Sequence, residues 1–148
     1  MEPVVLTRDV ILDVPVDDLW QLVADPDGLT AWLGDAVELD VRPGGVGIVR
    51  DGGGGDDGSA VRHVRVDRVE PRRDLAFTWW PADDRDTASQ VVFELTDVPG
   101  GGSRLHITET LLGPVPPANA AVLASAAQTA WEVRVLSLWA CSVAAALV

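Results

Sequence analysis

Most of the chain up to residue 112 alternates between apolar and polar residues with the two-residue period that is typical of β-strands. Side chains i and i+2 share one face of a strand, so the pattern also predicts which residues face inward. Turns rich in Gly, Pro and Asp separate the alternating segments. The pattern therefore predicts seven antiparallel strands, at residues 4–14, 36–41, 46–50, 60–70, 74–80, 89–98 and 103–112.

Two short segments after the first strand have helical spacing instead. Residues 15–25 place Pro15 at a first-turn position, followed by acidic residues and by apolar residues three and four apart. Residues 25–34 predict a second short helix or turn that ends at Gly34. From about residue 119 to 147 the chain is rich in Ala and Leu and lacks Gly and Pro, which predicts one long helix.

This order of elements predicts an α+β fold in which a curved seven-stranded antiparallel sheet wraps around the long C-terminal helix. The apolar face of the sheet needs a cover, and the helix can supply it with Trp131, Val135 and Leu138 at helical spacing. One helix cannot fill a strongly curved sheet completely, so we expect a pocket between the two. A single domain over residues 1–148 is predicted.

Charge and composition narrow the classes of partner. The formal net charge is -12, with 23 acidic and 11 basic residues, so nucleic acid and membrane partners are not expected. The C-terminal apolar run, residues 135–148, is shorter than the roughly 20 residues of a membrane span. With a single cysteine, Cys141, and no basic-then-apolar leader, a cytoplasmic location is predicted. Because His63 and His106 lack partners at metal-ligand spacing, we expect no metal and no cofactor.

The segment "RDGGGGDDGS", residues 50–59, has the composition of a binding loop. It lacks the Lys and Ser/Thr of a phosphate-binding loop, and it lies between two predicted strands. Its G-G-x-G-x-D spacing begins a calcium-binding repeat, but no second repeat follows, and one turn supplies too few oxygens for calcium. We therefore predict a mobile hairpin tip between the third and fourth strands, without a bound metal.

Several blocks of the chain, taken together and in order, resemble the START/SRPBCC superfamily, in its branch of bacterial proteins similar to the activator of heat-shock ATPase. The resemblance runs from about Thr7 to Leu138 and implies a helix-grip fold with a hydrophobic cavity for small apolar molecules. Where relatives often carry a His or a Gly-Phe pair after the last strand, this chain has Glu109. The blocks are "RDVILDVPVDDLWQLVADPDGLTAWLG", "VRPGG", "VRVDRVEPRRDLAFTWW", "SQVVFELTDVPGGGSRLHITET" and "AWEVRVLSL".

Strand alternation and helical spacing select the residues expected to line the cavity and bind a ligand. They are Arg8, Trp32, Phe77, Trp79, Phe93, Ile107, Glu109 and Trp131. If the first and last strands pair with Val10 opposite Ile107, Arg8 lies opposite Glu109. Such an ion pair is either a polar anchor for a ligand or a purely structural cross-strand contact. The three tryptophans either converge on the ligand or pack as core, whereas Trp20 and Trp139 are expected in the core.

Three classes of function remain open at this point. The first is binding of a small hydrophobic or aromatic molecule. The second is an enzyme of the polyketide cyclase or dehydratase type with Glu109 as its acid or base, although no catalytic residue is assigned. The third is protein binding, as a chaperone cofactor or as a homodimer, for which an outward-facing Trp80 is the main indication.

Overall fold

The strands form one seven-stranded antiparallel sheet in the computed structural model, which describes residues 4–51, 60–113 and 115–146. In the order β1-β7-β6-β5-β4-β3-β2, the first strand pairs with the last. The predicted fold class is confirmed: two short helices follow β1, and one long helix ends the chain. The elements are β1 (Val5–Leu12), α1 (Val16–Ala24), α2 (Pro26–Thr30), β2 (Ala36–Leu39), β3 (Val46–Asp51), β4 (Ala60–Glu70), β5 (Asp74–Pro81), β6 (Ser89–Asp97), β7 (Ser103–Leu111) and α3 (Pro117–Ala146).

The connections explain how strands of these lengths turn back on one another. Between β6 and β7, Gly100 and Gly101 have φ values of 97° and 93°, a region that side-chain-bearing residues rarely adopt. Between β5 and β6, a single 3₁₀ turn at Arg85–Thr87 begins at Asp84, whose carboxylate accepts a hydrogen bond from the Asp86 amide. The predicted hairpin tip at residues 52–59 lies outside the described residues.

Helices α1 and α2 cover one end of the sheet's inner face. The Asp25 side chain accepts a hydrogen bond from the Asp27 amide at 3.0 Å and so caps α2. Leu19, Val23 and Leu29 are fully buried. The indole of Trp32 donates to the Leu22 carbonyl at 2.8 Å, which ties the end of α2 back to α1. The two helices therefore occupy the space under the sheet at this end.

Helix α3 packs on the inner face of the sheet mainly through its second half. Trp131, Arg134, Leu138 and Ser142 are buried there, whereas residues 117–130 are half-buried or exposed. The helix thus contacts the core beyond Trp131 and leaves space beneath its first half. Among the described residues, none of the helices has the length and apolarity that a membrane crossing requires.

The predicted register between the first and last strands is wrong by two residues. Val10 lies opposite Leu105, and Arg8 lies opposite Ile107 rather than Glu109. A two-residue shift leaves every side chain on the same face, so alternation alone cannot fix it. The predicted Arg8–Glu109 ion pair is absent, and Arg8 instead approaches Glu132 of α3, with 3.6 Å between nitrogen and oxygen.

The prediction that Trp139 belongs to the core is also wrong. Its exposed fraction is 55%, and it lies on the side of α3 away from the sheet. Trp20 is half-buried and packs at the margin of the core. Helical spacing selected Trp131 and Leu138 for the buried face correctly, but because α3 is apolar on several faces it did not exclude Trp139 from the core.

A surface cluster at the β1–β7 edge makes stability depend on pH. Hydrogen bonds from His106 and Arg104 hold the pKa of Asp9 below its usual value. A depressed carboxyl pKa stabilises the fold above the unfolded value of about 4, and this stabilisation is lost as pH falls through the folded pKa. We therefore expect Asp9→Asn to lower the melting temperature slightly at pH 7 and to converge with the wild type in acid. Asp83→Asn, in an exposed turn, serves as the control; a gap for Asp9→Asn that is constant with pH would contradict the assignment.

Candidate functional site

A cavity of about 490 Å³ lies beneath the first half of α3. Its floor is formed where β5 and β7 end and where β4 and β6 begin, and it is bordered by the 3₁₀ turn and by Gly113, Val115 and Pro116. Its apolar wall is formed by Pro81, Ala88, Leu111, Val115, Pro116, Leu123, Ala126, Ala127 and Ala130. Its polar lining residues are Arg62, Asp86, Thr87, Ser89, Glu109, Asn119 and Arg134, with Trp79 among them.

Glu109 is the centre of a buried hydrogen-bond network at the cavity floor. The indole of Trp131 donates to its Oε1 at 2.8 Å, and the indole of Trp79 donates to its Oε2 at 2.8 Å. The Ser89 hydroxyl donates to the same Oε2 at 2.5 Å and also accepts from Trp79 at 2.9 Å. The indole N–H groups and the Ser89 hydroxyl donate and the two carboxyl oxygens of Glu109 accept, so the donors and acceptors of this cluster match.

Two arginines flank the tryptophans of this network. The guanidinium carbon of Arg134 lies 5.0 Å from the ring centroid of Trp79 and 4.7 Å from that of Trp131. Arg62 lies 4.7 Å from the Trp79 centroid. Arg134 also donates to the Leu33 carbonyl at 3.2 Å, which ties α3 to the segment after α2. Trp79 is therefore within cation–π distance of cationic side chains from two elements.

Behind the network, aromatic rings separate the cavity from the end covered by α1 and α2. Trp79 and Trp131 stack with their centroids 6.0 Å apart. Phe93 lies edge-on to Trp131 at 6.1 Å and contacts Trp32 at 5.5 Å. Phe77 packs edge-on against both Trp79 and Phe93. In the part of the chain that the structure describes, the cavity lies on the Glu109 side of this aromatic layer.

The structure brings some of the predicted site residues to the cavity and places the others elsewhere. Trp79 and Glu109 line it directly. Trp131 reaches it through its hydrogen bond to Glu109. The remaining aromatic and aliphatic members of the set are buried in the core behind these residues: Trp32, Phe77, Phe93 and Ile107. Arg8 lies outside the cavity, beside Glu132 on the far side of α3.

Sequence reasoning missed six of the polar residues that line the cavity, and the sequence carries a signal for three of them, Arg62, Ser89 and Arg134. Arg134 is three residues after Trp131 and four before Leu138, which places it on the inward face of the helix. Ser89 has the strand parity of the inward residues of β6, and Arg62 has the parity of the inward residues of β4. Their polarity alone led to their omission from the predicted set.

A metal site is not indicated in the described part of the chain. No group of three or more His, Cys, Asp or Glu side chains lies close enough together there to hold an ion. The two oxygens of Glu109 accept hydrogen bonds from indole and hydroxyl groups. Donors surround the carboxyl group, and this is not the environment of a bound cation.

A curved antiparallel sheet around a C-terminal helix, with a cavity between them, defines the helix-grip class of SRPBCC proteins. A match to the family described as "Activator of Hsp90 ATPase homolog 1-like protein" spans residues 13–137. The chain belongs to this family, and the predicted resemblance is confirmed. A comparison with curated protein sequences finds no match.

Solved structures of related proteins share this fold. DynU16, from the dynemicin biosynthetic locus, is 27% identical over 91% of this chain, with a TM-score of 0.71. The chain spans 45% of the DynU16 chain, which is less than half its length. Ms6760 from Mycobacterium smegmatis is 23% identical to this chain. The match covers 98% of each of the two chains and has a TM-score of 0.78. SA2116 from Staphylococcus aureus is 12% identical, covers 99% of both chains and has a TM-score of 0.80.

Proposed function

We propose that the protein binds a small, largely apolar molecule in the cavity between α3 and the sheet. The observation that carries the proposal is the cavity itself, which has an apolar wall on α3 and a polar floor at Glu109. Small-molecule sites typically combine apolar walls with a few fixed polar groups, and their volumes fall between about 300 and 1,000 Å³. A cavity of about 490 Å³ is in this range.

The energy of binding explains why the polar floor matters. Burying about 300 Å² of apolar ligand surface contributes roughly 7 kcal/mol at about 25 cal/mol per Å². Association costs at least about 4 kcal/mol, so an entirely apolar ligand is held weakly. Polar contacts at the floor would therefore decide both the affinity and the orientation of the ligand.

The chemistry of the floor indicates which ligand group would be oriented there. Arg62 and Arg134 each carry several N–H donors and no acceptor, and the Ser89 hydroxyl, which donates its hydrogen to Glu109 and accepts from Trp79, keeps one acceptor position. A ligand carbonyl or hydroxyl oxygen is complementary to these groups. The ligand class that fits is thus a ring or chain of apolar character with one oxygen function at its buried end.

The relatives give this proposal limited support. DynU16 is described as a protein of the dynemicin biosynthetic locus, and at 27% identity it is similar beyond the fold alone. A role near small-molecule biosynthesis is consistent with a cavity of this kind.

A fluorescent probe tests the proposal directly. N-phenyl-1-naphthylamine, which is apolar and brightens in dry sites, should bind the wild type. Ala127 lies in the α3 wall, so Ala127→Phe places a large ring in the cavity. The Kd of the probe should rise at least about tenfold, which corresponds to a loss of roughly 1.4 kcal/mol of binding free energy. The measurement is a fluorescence titration.

Ala121→Phe is the matched control, because Ala121 is exposed on the same helix and does not line the cavity. It should leave the Kd unchanged. Equal weakening by both variants, or no weakening by Ala127→Phe, would contradict binding at this cavity. Native mass spectrometry of freshly purified protein would in addition show any ligand retained from the cell.

An enzymatic function of the cyclase or dehydratase type is the second candidate. One observation favours it: Glu109 is a buried carboxylate at the cavity floor, within hydrogen-bond distance of a hydroxyl. In such an enzyme Glu109 would move a proton on a bound substrate. Glu109→Gln should then abolish turnover, which mass spectrometry of the substrate would measure. The same change should leave binding of the fluorescent probe unaltered. Turnover that survives this change would exclude the role.

The protein-binding class remains a prediction, but Trp80 does not support it. Trp80 is half-buried, with the Arg85 guanidinium 4.9 Å from its ring centroid and the His63 ring tilted against it at 6.0 Å. The surface it was expected to provide is therefore covered by the chain's own side chains. A chaperone-cofactor role and a cytoplasmic location stay predictions.

A further inference from the structure

Helix α3 carries two apolar faces, and the sheet covers only one of them. The inward face, which includes Trp131, Arg134 and Leu138, is buried. On the opposite side, Val133 and Leu136 are 61% and 64% exposed, although both are large aliphatic residues. A helix that is apolar all round is normally covered all round, so the outward face is where a second partner is expected.

The outward residues repeat with the spacing of a coiled coil. Six exposed positions follow one another at alternating intervals of three and four residues, which is the heptad period of about 3.5 residues. This set, called the outer seam, consists of Ala126, Thr129, Val133, Leu136, Ala140 and Val143. Ala126, its first member, is exposed and also lines the cavity, so it lies on the border between the inward and outward faces of the helix. A seam with this period is the surface that a second helix packs against, with its side chains inserted between those of the first.

Charge selects a protein partner over nucleic acid or an anionic membrane. The chain carries a net charge of -12, yet between residues 117 and 146 it has only two charged residues, Glu132 and Arg134. Arg134 faces inward, and Glu132 lies beside Arg8 of its own chain at 3.6 Å. Two copies can therefore bring their outer seams together without bringing net like charges into the contact.

We propose that the outer seam is a homodimer interface in which α3 packs antiparallel against α3 of a second copy. In an antiparallel pair centred between Val133 and Leu136, Val133 of one copy lies opposite Leu136 of the second copy, and Leu136 of the first lies opposite Val133 of the second. In the same register, Ala126 faces Val143 and Thr129 faces Ala140, so large residues meet small ones. A parallel pair would set Ala against Ala in two layers and leave gaps there.

The size of the seam sets the expected strength of the dimer. From Ala126 to Val143 the helix rises about 25 Å at 1.5 Å per residue. Two helices in contact over this length bury on the order of 1,000 Å² in total, the lower limit for a specific interface. We therefore expect a reversible dimer with a Kd of about micromolar order. Trp139, 55% exposed beside the seam, adds contact area.

Sedimentation velocity of the full chain over about 1–100 μM tests the proposal. The wild type should move from one chain to two with increasing concentration. Val133→Glu places a charge at the centre of the seam and should raise the dimer Kd about 100-fold or more, because an unpaired charge would be buried. Gln128→Glu adds the same charge on an exposed position outside the seam and should leave the Kd unchanged.

Cross-linking tests the orientation. In a Cys141→Ser background, a mixture of Val133→Cys and Leu136→Cys chains should form the mixed disulfide faster than either chain forms its own. Self-linked chains in excess would overturn the antiparallel register. A wild type that stays a single chain at 100 μM, or a dimer insensitive to Val133→Glu, would overturn the interface. If the single chain instead bound phosphatidylcholine vesicles through this face, the partner would be a lipid surface, and the homodimer proposal would be wrong.

Discussion

Replacing Glu109 by glutamine is expected to lower the free energy of unfolding by about 2 kcal/mol, although the two side chains have nearly the same shape. The carboxylate accepts from Trp131 on one oxygen and from Trp79 and Ser89 on the other. An amide has only one oxygen, so its NH₂ group must face an indole N–H in either orientation. Urea unfolding followed by circular dichroism measures the effect.

Glu38→Gln is the matched control for this change, because Glu38 is exposed on β2. It should alter the free energy of unfolding by less than about 0.5 kcal/mol. If Glu109→Gln were as mild as the control, the three hydrogen bonds would contribute nothing to stability. Glu109 would then be an ordinary buried side chain rather than the centre of a network.

Trp79→Phe is expected to destabilise the fold by about 2–3 kcal/mol. The change removes the indole donor shared by Glu109 and Ser89 and deletes part of a ring that is 2% exposed. It also weakens the contacts of the ring with Arg62 and Arg134, because phenylalanine offers a smaller π surface to the two guanidinium groups. The measurement is the same denaturant unfolding.

The neighbouring Trp80 offers a control of identical chemistry. It lies on the other face of β5, so Trp80→Phe should cost less than about 1 kcal/mol. The double variant Trp79→Phe, Glu109→Gln should lose at least about 0.5 kcal/mol less free energy of unfolding than the sum of the two single variants. The reason is that both changes remove the same hydrogen bond, the one between Trp79 and Glu109. Strict additivity would show that Glu109 and Trp79 do not interact.

The strands were predictable because most of their inward positions carry apolar residues at a two-residue period. The structure begins and ends β4 at the predicted residues 60 and 70, and it places Leu75, Phe77 and Trp79 on the buried face. These residues follow a local rule, in which alternate side chains of a strand share one face. Tertiary context did not have to be known to assign them.

The cavity was predictable only in part, because its polar residues depend on contacts between distant segments. Glu109 was assigned inward from its parity, but its partners follow from the register of β7 with β6 and from the packing of α3. Alternation fixes the face of a strand and leaves shifts of two residues open, which is why Arg8 was paired with the wrong residue. Arg134 was omitted because a cation on an inward helix face runs against composition rules.

The sequence also did not show fully which residues of α3 face the sheet. Trp131 and Trp139 are eight residues apart in an apolar helix, and both fit a core pattern. One is buried under the sheet, and the other is largely exposed. A helix with apolar residues on opposite sides contains no local signal that distinguishes the side facing its own sheet from the side facing another partner.

The central claim is that a small apolar ligand occupies the cavity above Glu109. The indole N–H signals in a ¹H–¹⁵N spectrum test it most directly, because the chain has six tryptophans and Trp79 lines the cavity. Titration with N-phenyl-1-naphthylamine should shift the signals of Trp79 and of Trp131, whose indoles both bind Glu109, and leave those of Trp80 and Trp139 in place. Binding that shifts only Trp139, or that leaves Trp79 and Trp131 unchanged, would contradict the claim.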